Sequence, residues 1–280
     1  MSKLYGIKEL MLHAEENNYA IGAFNFSNME TALAILEAGS ELNTNVILLG
    51  SNAEMPTFGL KLWIEMAENL SRKFPEIKTG LHLDHTTQID FIKSCLDMGT
   101  PSVMYDGSNL PFSENIKNTR KVVEIASHYN ASVEGELGSI GRCDDLTFEG
   151  VETDRFTLTD PKDAKLFVEE TRVDALAVSI GNSHGLGKSL PVLDFELLEE
   201  LNSVVPAYIV LHGGSGIPEE QLKKAVSLGI RKVNVASEIG YAYTKTVSKY
   251  AEEVWWGEAI YHGKQAVKEV VKRWIKALKL

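Results

Sequence analysis

The 280-residue chain is poor in cysteine, in long apolar runs and in positive charge, and each shortage removes a class of protein. Two cysteines, Cys95 and Cys143, cannot build a disulfide framework, and neither sits in a Cys-x-x-Cys pattern. A reducing, cytoplasmic setting is the expectation. No apolar run reaches the roughly 18 residues that a membrane span needs, and Met1-Ser2-Lys3 leads into no signal-peptide core, so no membrane contact is expected. A formal net charge of −11 opposes a nucleic-acid surface, which needs a basic stripe. It does not oppose an anionic small molecule, because backbone N–H groups and one or two cations hold phosphate locally.

What the chain does have is alternation. Short apolar runs at 19–26, 46–49, 79–83, 101–105, 131–137, 173–180, 207–211 and 230–235 read as strands. Helical patterns separate them, at 29–39, about 58–73, 89–98, 113–129, 194–201 and 218–228, and one helix is opened by Thr159-Asp160-Pro161. Ser113 reads as the cap of the fourth of these helices. Continuous apolar strands between amphipathic helices imply a parallel sheet covered on both sides. Eight such units without a linker favour an α/β fold closed as a (β/α)8 TIM barrel over an open doubly wound sheet. The expected organisation is a single domain over 1–280, with the barrel at about 19–250. A C-terminal helical extension covers about 251–280, as one stretch through Trp255-Trp256 and another over 264–280.

In such a barrel the chemistry gathers where strands end. Here those ends are polar: His82-Leu83-Asp84-His85, Asp106-Gly107-Ser108, Glu134-Gly135-Glu136, Asn182-Ser183-His184-Gly185, His212-Gly213-Gly214-Ser215-Gly216 and Asn234-Val235-Ala236-Ser237. His85, His184 and His212 fall after strands three, six and seven, so all three face one mouth. Three imidazoles with an open fourth position form the pattern of a catalytic zinc site. His82 alternates with Leu83 and is expected to point away from the mouth, in a structural role. Asp84 beside His85 reads either as an orienting carboxylate or as an acid/base, and spacing alone does not separate the two. The glycine turn 213–216 runs into a helix start, and with Asn234, Val235, Ala236 and Ser237 it forms a phosphate cradle. Lys188 reads equally as a cation that closes over the ligand or as a solvated lysine.

At these residues the sequence resembles the class II, metal-dependent fructose- and tagatose-bisphosphate aldolases. The resemblance runs through HLDH (82–85), SVMYDGSNLPFSENI (102–116), VEGELGSIG (133–141), TDPKDAKLFVEET (159–171), VDALAVSIGNSHG (173–185), LHGGSGIP (211–218) and KVNVASE (232–238). It implies an aldehyde-lyase of carbohydrate metabolism, of the glycolytic kind, that cleaves or forms a ketose phosphate or bisphosphate through a zinc-stabilised dihydroxyacetone-phosphate enediolate. By the same resemblance His85, His184 and His212 ligate zinc, and Asp84 exchanges the proton of the C4 hydroxyl. Asp106 and Glu136 match a second position for a divalent metal or a monovalent cation. Gly185, Gly213, Gly214, Ser215 and Asn234 through Ser237 match the dihydroxyacetone-phosphate site, which Asn25 and Ser51 complete. A homodimer or homotetramer is implied as well, with a phosphorylated ketose, dihydroxyacetone phosphate and an aldehyde as the small-molecule partners.

Two departures bear on the substrate. Asp144 stands nearest the place of the family's loop glutamate but is one methylene shorter. Before the final helix, where relatives carry Asp-Pro-Arg for a distal phosphate, this chain has Trp255-Trp256-Gly257-Glu258-Ala259. A substrate without a distal phosphate is therefore the alternative, and a non-catalytic sugar-phosphate-binding barrel is a second one. A Schiff-base aldolase would need a buried lysine near a strand end, and none is expected here, Lys232 reading as the approach to strand eight.

Overall fold

Strands covered on both faces need apolar side chains in both directions, and these runs supply them. The computed structural model describes residues 4–51, 55–141, 157–186 and 191–280. Its strands are β1 (Ile21–Asn25), β2 (Val46–Gly50), β3 (Thr79–Leu83), β4 (Ser102–Tyr105), β5 (Ser132–Leu137), β6 (Ala175–Val178), β7 (Tyr208–Leu211) and β8 (Ile230–Val235). They pair in chain order, all parallel, and β8 returns to β1 to close the barrel.

Helix α1 (Ile7–Glu16) precedes the first strand. Between consecutive strands come α2 (Met29–Glu41), α3 (Met55–Ser71), α4 (Ile89–Asp97), α5 (Phe112–Ser127), α6 (Pro161–Thr171), α7 (Phe195–Val204) and α8 (Glu219–Ser227). After β8 come α9 (Ser237–Tyr250) and α10 (Trp256–Ala277). The closed (β/α)8 barrel with helices at its C-terminus is therefore present.

Local chemistry explains several boundaries. Asp160 accepts hydrogen bonds from the N–H groups of Lys162 and Asp163 at 2.8 and 3.2 Å, and Pro161 follows at the first helical position. Asp194 caps α7 in the same way through the N–H of Leu197 at 3.0 Å. The expected cap at Ser113 is not formed. Helix α5 begins one residue earlier, after Pro111, whose extended φ, ψ set the entry without a side-chain bond.

Two apolar layers hold the barrel. The outer one lies between strands and helices and takes Leu81, Leu83, Val133, Val233 and Val235 from the strand faces turned outward. The inner one joins Ile21, Ala23, Ile47, Leu49, Ala175, Ala177 and Val210 to Ile7, Leu10, Met11 and Ala14 of α1. Tyr5 donates to the carbonyl of Thr79 at 3.0 Å and Lys8 pairs with Asp174 at 2.9 Å, so α1 lies across the N-terminal ends of the strands. The sequence reading had no helix here, because a ten-residue amphipathic segment ahead of the first strand carries no signal that it plugs a barrel.

At the other terminus one continuous 22-residue helix, α10, replaces the two stretches that were expected. Gly263 lets it approach α9, since a Cβ there would meet Val247 Cγ2 at 2.6 Å. Lys264 reaches Glu37 of α2, and Lys268 and Lys272 reach Glu41 at 2.8 and 2.9 Å. Hydrogen bonds from those two lysines pull the Glu41 carboxyl down to about 2.

Candidate active site

Successive strand residues point to opposite faces, so polar residues two apart share one. On β3, β5 and β8 the shared face is the barrel interior. It receives His82 and then Asp84, Glu134 and then Glu136, Lys232 and then Asn234, and the side chains of all six are buried. His212, directly after β7, is fully buried among them. His82 does not point away from the mouth, as expected, but lies one step below Asp84 on the same face. Its Nδ1 meets Ser102 Oγ at 3.0 Å, and its Nε2 is 3.7 Å from Glu134 Oε2.

Asp84 and His85 are neighbours, and strict alternation would separate them. His85 sits at a φ of +30°, in the left-handed region that a non-glycine residue rarely adopts. That kink turns its ring back to the side on which Asp84 already lies. His85 and His212 have ring centroids 4.6 Å apart, His85 and His184 5.0 Å, and His184 and His212 6.1 Å. One ring nitrogen from each of the three lies within 4.8 Å of the others. Three strand ends thus deliver three imidazoles to one point.

Each neighbouring carboxylate selects a tautomer. Asp106 Oδ2 takes the N–H of His85 Nδ1 at 2.9 Å, and its Oδ1 accepts from Ser108 N and Oγ at 3.1 and 2.7 Å. Glu134 Oε1 takes the N–H of His212 Nε2 at 2.7 Å. This leaves His85 Nε2 and His212 Nδ1 facing each other at 2.9 Å. Burial lowers the pKa of His85, yet the charges of Asp84, Glu136 and Asp106 and the bond to Asp106 outweigh it and raise it to about 10. His212 is pushed well below its usual value by burial and by the charge of His85. One proton therefore sits between two nitrogens that both aim at the same place.

A divalent cation fits the same place. Glu136 Oε2 is buried without a hydrogen-bond partner among the described residues, 3.6 Å from His212 Nδ1 and 3.9 Å from His85 Nδ1. Burial and the charge of Asp106 raise the Glu136 carboxyl well above its ordinary value. His85, Asp106 and Glu136 form a second group with ligand atoms in common range.

The glycine turn lies beside this cluster. Gly213 has a φ of +61°, and a Cβ on it would sit 2.3 Å from the carbonyl oxygen of Ser183, so only glycine lets the turn pass the loop that carries His184. Gly214 N–H donates to the carbonyl of Asn234 at 2.9 Å, and Ser215 Oγ accepts from Glu238 N–H at 3.2 Å. The turn is thereby fastened to the N-terminus of α9, where Ala236 is exposed and Ser237 half-buried. The backbone of this turn and the helix start form a cradle of the kind that binds anions.

Solved structures carry the same architecture. The YdjI aldolase from Escherichia coli K12 is 30% identical, with 98% of this chain and 97% of that one covered at a TM-score of 0.87. The fructose-bisphosphate aldolase from Campylobacter jejuni is 20% identical over 99% and 96% of the two chains at 0.83, a likeness of fold. The sequence model of class-II fructose-bisphosphate aldolases matches residues 6–280. The chain belongs to that family.

It is accordingly an aldehyde-lyase of the class II aldolase type, and the family's dependence on a metal agrees with the groups of histidine and carboxylate found here. Asn25 and Ser51 end β1 and β2 at the same mouth, where Asp84 N–H donates to the Gly50 carbonyl at 2.8 Å. Gly185 is buried beside His184 at a φ of +92°. Val235 is different. Its side chain packs in the outer apolar layer, so only its backbone faces the mouth. Lys188 and Asp144 lie outside the described residues.

Sequence reasoning named Glu134 and Lys232 but gave neither a role at the site. Lys232 is not at the approach to its strand but inside β8, fully buried, donating to Glu134 Oε2 at 2.9 Å and to Asn234 Oδ1 at 2.7 Å. A charged residue within a strand that is covered on both faces is the signal that could have found each of them. With its ammonium engaged in this way, Lys232 offers no free amine for Schiff-base chemistry.

Proposed function

We propose that the chain is a zinc-dependent aldolase that cleaves or forms a phosphorylated ketose, with dihydroxyacetone phosphate as one fragment and an aldehyde as the other. The observation that carries this reading is the convergence of His85, His184 and His212 beside Asp84, within one barrel mouth that also holds the glycine turn. His85, His184 and His212 would hold the catalytic ion, and Asp106 and Glu136 a second cation position. The ion, when bound, supplies a Lewis acid for the ketose carbonyl.

The chain's own groups do the rest. Gly185, Gly213, Gly214, Ser215 and the Asn234-to-Ser237 segment hold the phosphate of the dihydroxyacetone half, joined by Asn25, Ser51 and Lys188. Anchoring the phosphate fixes the reacting carbons, so binding energy far from the scissile bond lowers the barrier. Asp84 takes the proton from the C4 hydroxyl. The C4–O bond becomes a carbonyl, the C3–C4 bond breaks, and its electron pair stays on the dihydroxyacetone half, whose C3 then takes up a proton to give dihydroxyacetone phosphate. Asn234 Nδ2 donates to Asp84 Oδ1 at 3.1 Å and holds the carboxylate in register. The reaction read backwards joins the two halves by the same path.

Within this reading, the Trp255-to-Ala259 segment in place of Asp-Pro-Arg favours an aldehyde half without a phosphate. A homodimer or homotetramer in the cytoplasm completes the proposal, and the exposed Trp255 and Trp256 at the start of α10 support a contact between copies. A coupled assay for dihydroxyacetone-phosphate release tests the activity across ketose monophosphates and bisphosphates with zinc added. Release from a monophosphate but no bisphosphate supports the unphosphorylated aldehyde. Silence across the panel favours a sugar-phosphate-binding barrel without catalysis.

A further inference from the structure

Below the mouth lies a second set of buried groups, His82, Asp84 and Glu134, close enough to share a cation. This set already has one. Lys232 Nζ donates to Glu134 Oε2 at 2.9 Å and Oε1 at 3.3 Å, and to Asn234 Oδ1 at 2.7 Å, with none of its side chain exposed. A buried ammonium is retained against a large desolvation cost only where its partners are fixed around it.

An ammonium only donates, and that decides how both partners face. Glu134, held through both oxygens, turns Oε1 to the N–H of His212 Nε2 at 2.7 Å, which leaves Nδ1 of His212 as the unprotonated nitrogen turned toward His85 Nε2 and the metal position. Asn234 must present its oxygen to Lys232, so its amide nitrogen points the other way and donates to Asp84 Oδ1 at 3.1 Å. The 3.2 Å approach of that nitrogen to His212 Nε2 is then a contact between two N–H groups, and the bond from Lys232 to the amide oxygen, together with the bond from the amide nitrogen to Asp84, opposes the flip that would relieve it.

We propose that Lys232 is a positioning residue that sets two groups at once: the tautomer and orientation of the metal ligand His212 through Glu134, and the position of the proton-accepting Asp84 through Asn234. It touches neither substrate nor metal. The inference rests on the proposed roles of His212 and Asp84.

The test uses the full-length protein in two variants, Lys232→Met and the double Lys232→Met/Glu134→Gln, with kcat, KM and the affinity and visible spectrum of Co2+ added to the metal-free protein. Loss of a group that orients a metal ligand costs about 10- to 100-fold in metal affinity or activity. Lys232→Met is expected to lose that much in both Co2+ affinity and kcat, with an altered Co2+ spectrum and KM within about threefold. The double variant removes both buried charges and keeps a side-chain oxygen for His212. It should recover Co2+ affinity and spectrum but not kcat, because Asn234 still lacks the donor that fixes its amide oxygen.

Affinity and kcat both within twofold of the parent in Lys232→Met would overturn the proposal. So would recovery of kcat in the double variant, which would reduce Lys232 to a counter-ion for Glu134. If Lys232→Met does not fold, the double variant decides alone by the same split. Full metal content in His212→Ala would refute the reading beneath the proposal, a result that neither Lys232 variant can mimic.

Discussion

The two ends of the barrel interior are built on the same eight strands and do opposite work. Toward the N-terminal end the inward positions are Ile21, Ile47 and Ala175, over which α1 closes with Ile7, Leu10, Met11 and Ala14, while Ala23, Leu49 and Ala177 pair in register with Asn234, His82 and Glu136 and reach up among the polar groups. At the C-terminal end the inward positions are Asp84, Glu134, Glu136, His212, Lys232 and Asn234, nearly as buried but charged or polar. The first end needs only volume and close contact. The second needs every group to have a partner of the right kind, and where one is missing, as at Glu136 Oε2, the gap points to a ligand. Stability and chemistry are thus separated along a single axis, only a few strand residues apart.

Substitutions at the two ends should separate in the same way. The largest effect is expected at His212→Ala, which removes a proposed metal ligand and should abolish both bound metal and turnover. Elemental analysis showing full metal content would count against the ligand assignment. Asp84→Ala should keep the metal while kcat falls by about 10²- to 10⁴-fold, the usual worth of a positioned acid/base, measured in a coupled assay. Leu10→Ala, at the other end, should cost about 2–5 kcal/mol in denaturant unfolding and leave kcat within about twofold. A large loss of kcat there would break the separation.

Metal binding carries a pH dependence with a definite sign. In the metal-free protein His85 keeps its proton up to about 10, and Glu136 is also held protonated above its usual range. The His85 proton must leave when a divalent ion binds, together with any proton held on Glu136. Affinity should therefore tighten as pH rises through neutrality, by about tenfold per pH unit for each proton released. Co2+ titrations at pH 6, 7 and 8 measure the slope, and a flat profile would contradict the protonated state of the site. The smallest effect belongs to the outer surface. Glu41, pulled down to about 2 by Lys268 and Lys272, stabilises the folded chain above the ordinary carboxylate range, and that contribution is lost as pH falls toward 2. Because the group is well exposed, Glu41→Gln should cost under about 1 kcal/mol at neutral pH, read from thermal unfolding.

The same contrast governs what could be read beforehand. Outward-facing apolar residues on a strand and the stripe on a helix repeat locally, so β3 and β8 were legible to the residue and most other elements to within a few. Helix α1 was not, since its role as a plug exists only once the barrel is closed. At the site the three histidines were legible because they follow strand ends, and the glycine turn because only backbone can approach an anion that closely. The side of His82 was misread, because the true reference was Asp84 two residues on and not the kinked His85 beside it. Glu134 and Lys232 passed unnoticed as partners because their positions lie 98 residues apart.

Sequence alone determined the eight-fold alternation, the strand ends at which reactive side chains fall, and membership in a family of metal-dependent aldolases. The first two follow from periods of two and 3.6 residues, and the third from the resemblance of the chain's motifs to those of that family. Tertiary structure decided which nitrogens of His85 and His212 the neighbouring carboxylates engage, how His85 turns to join Asp84, and that a buried lysine links a carboxylate to an amide across the barrel. These depend on distances between strands, which no local pattern encodes.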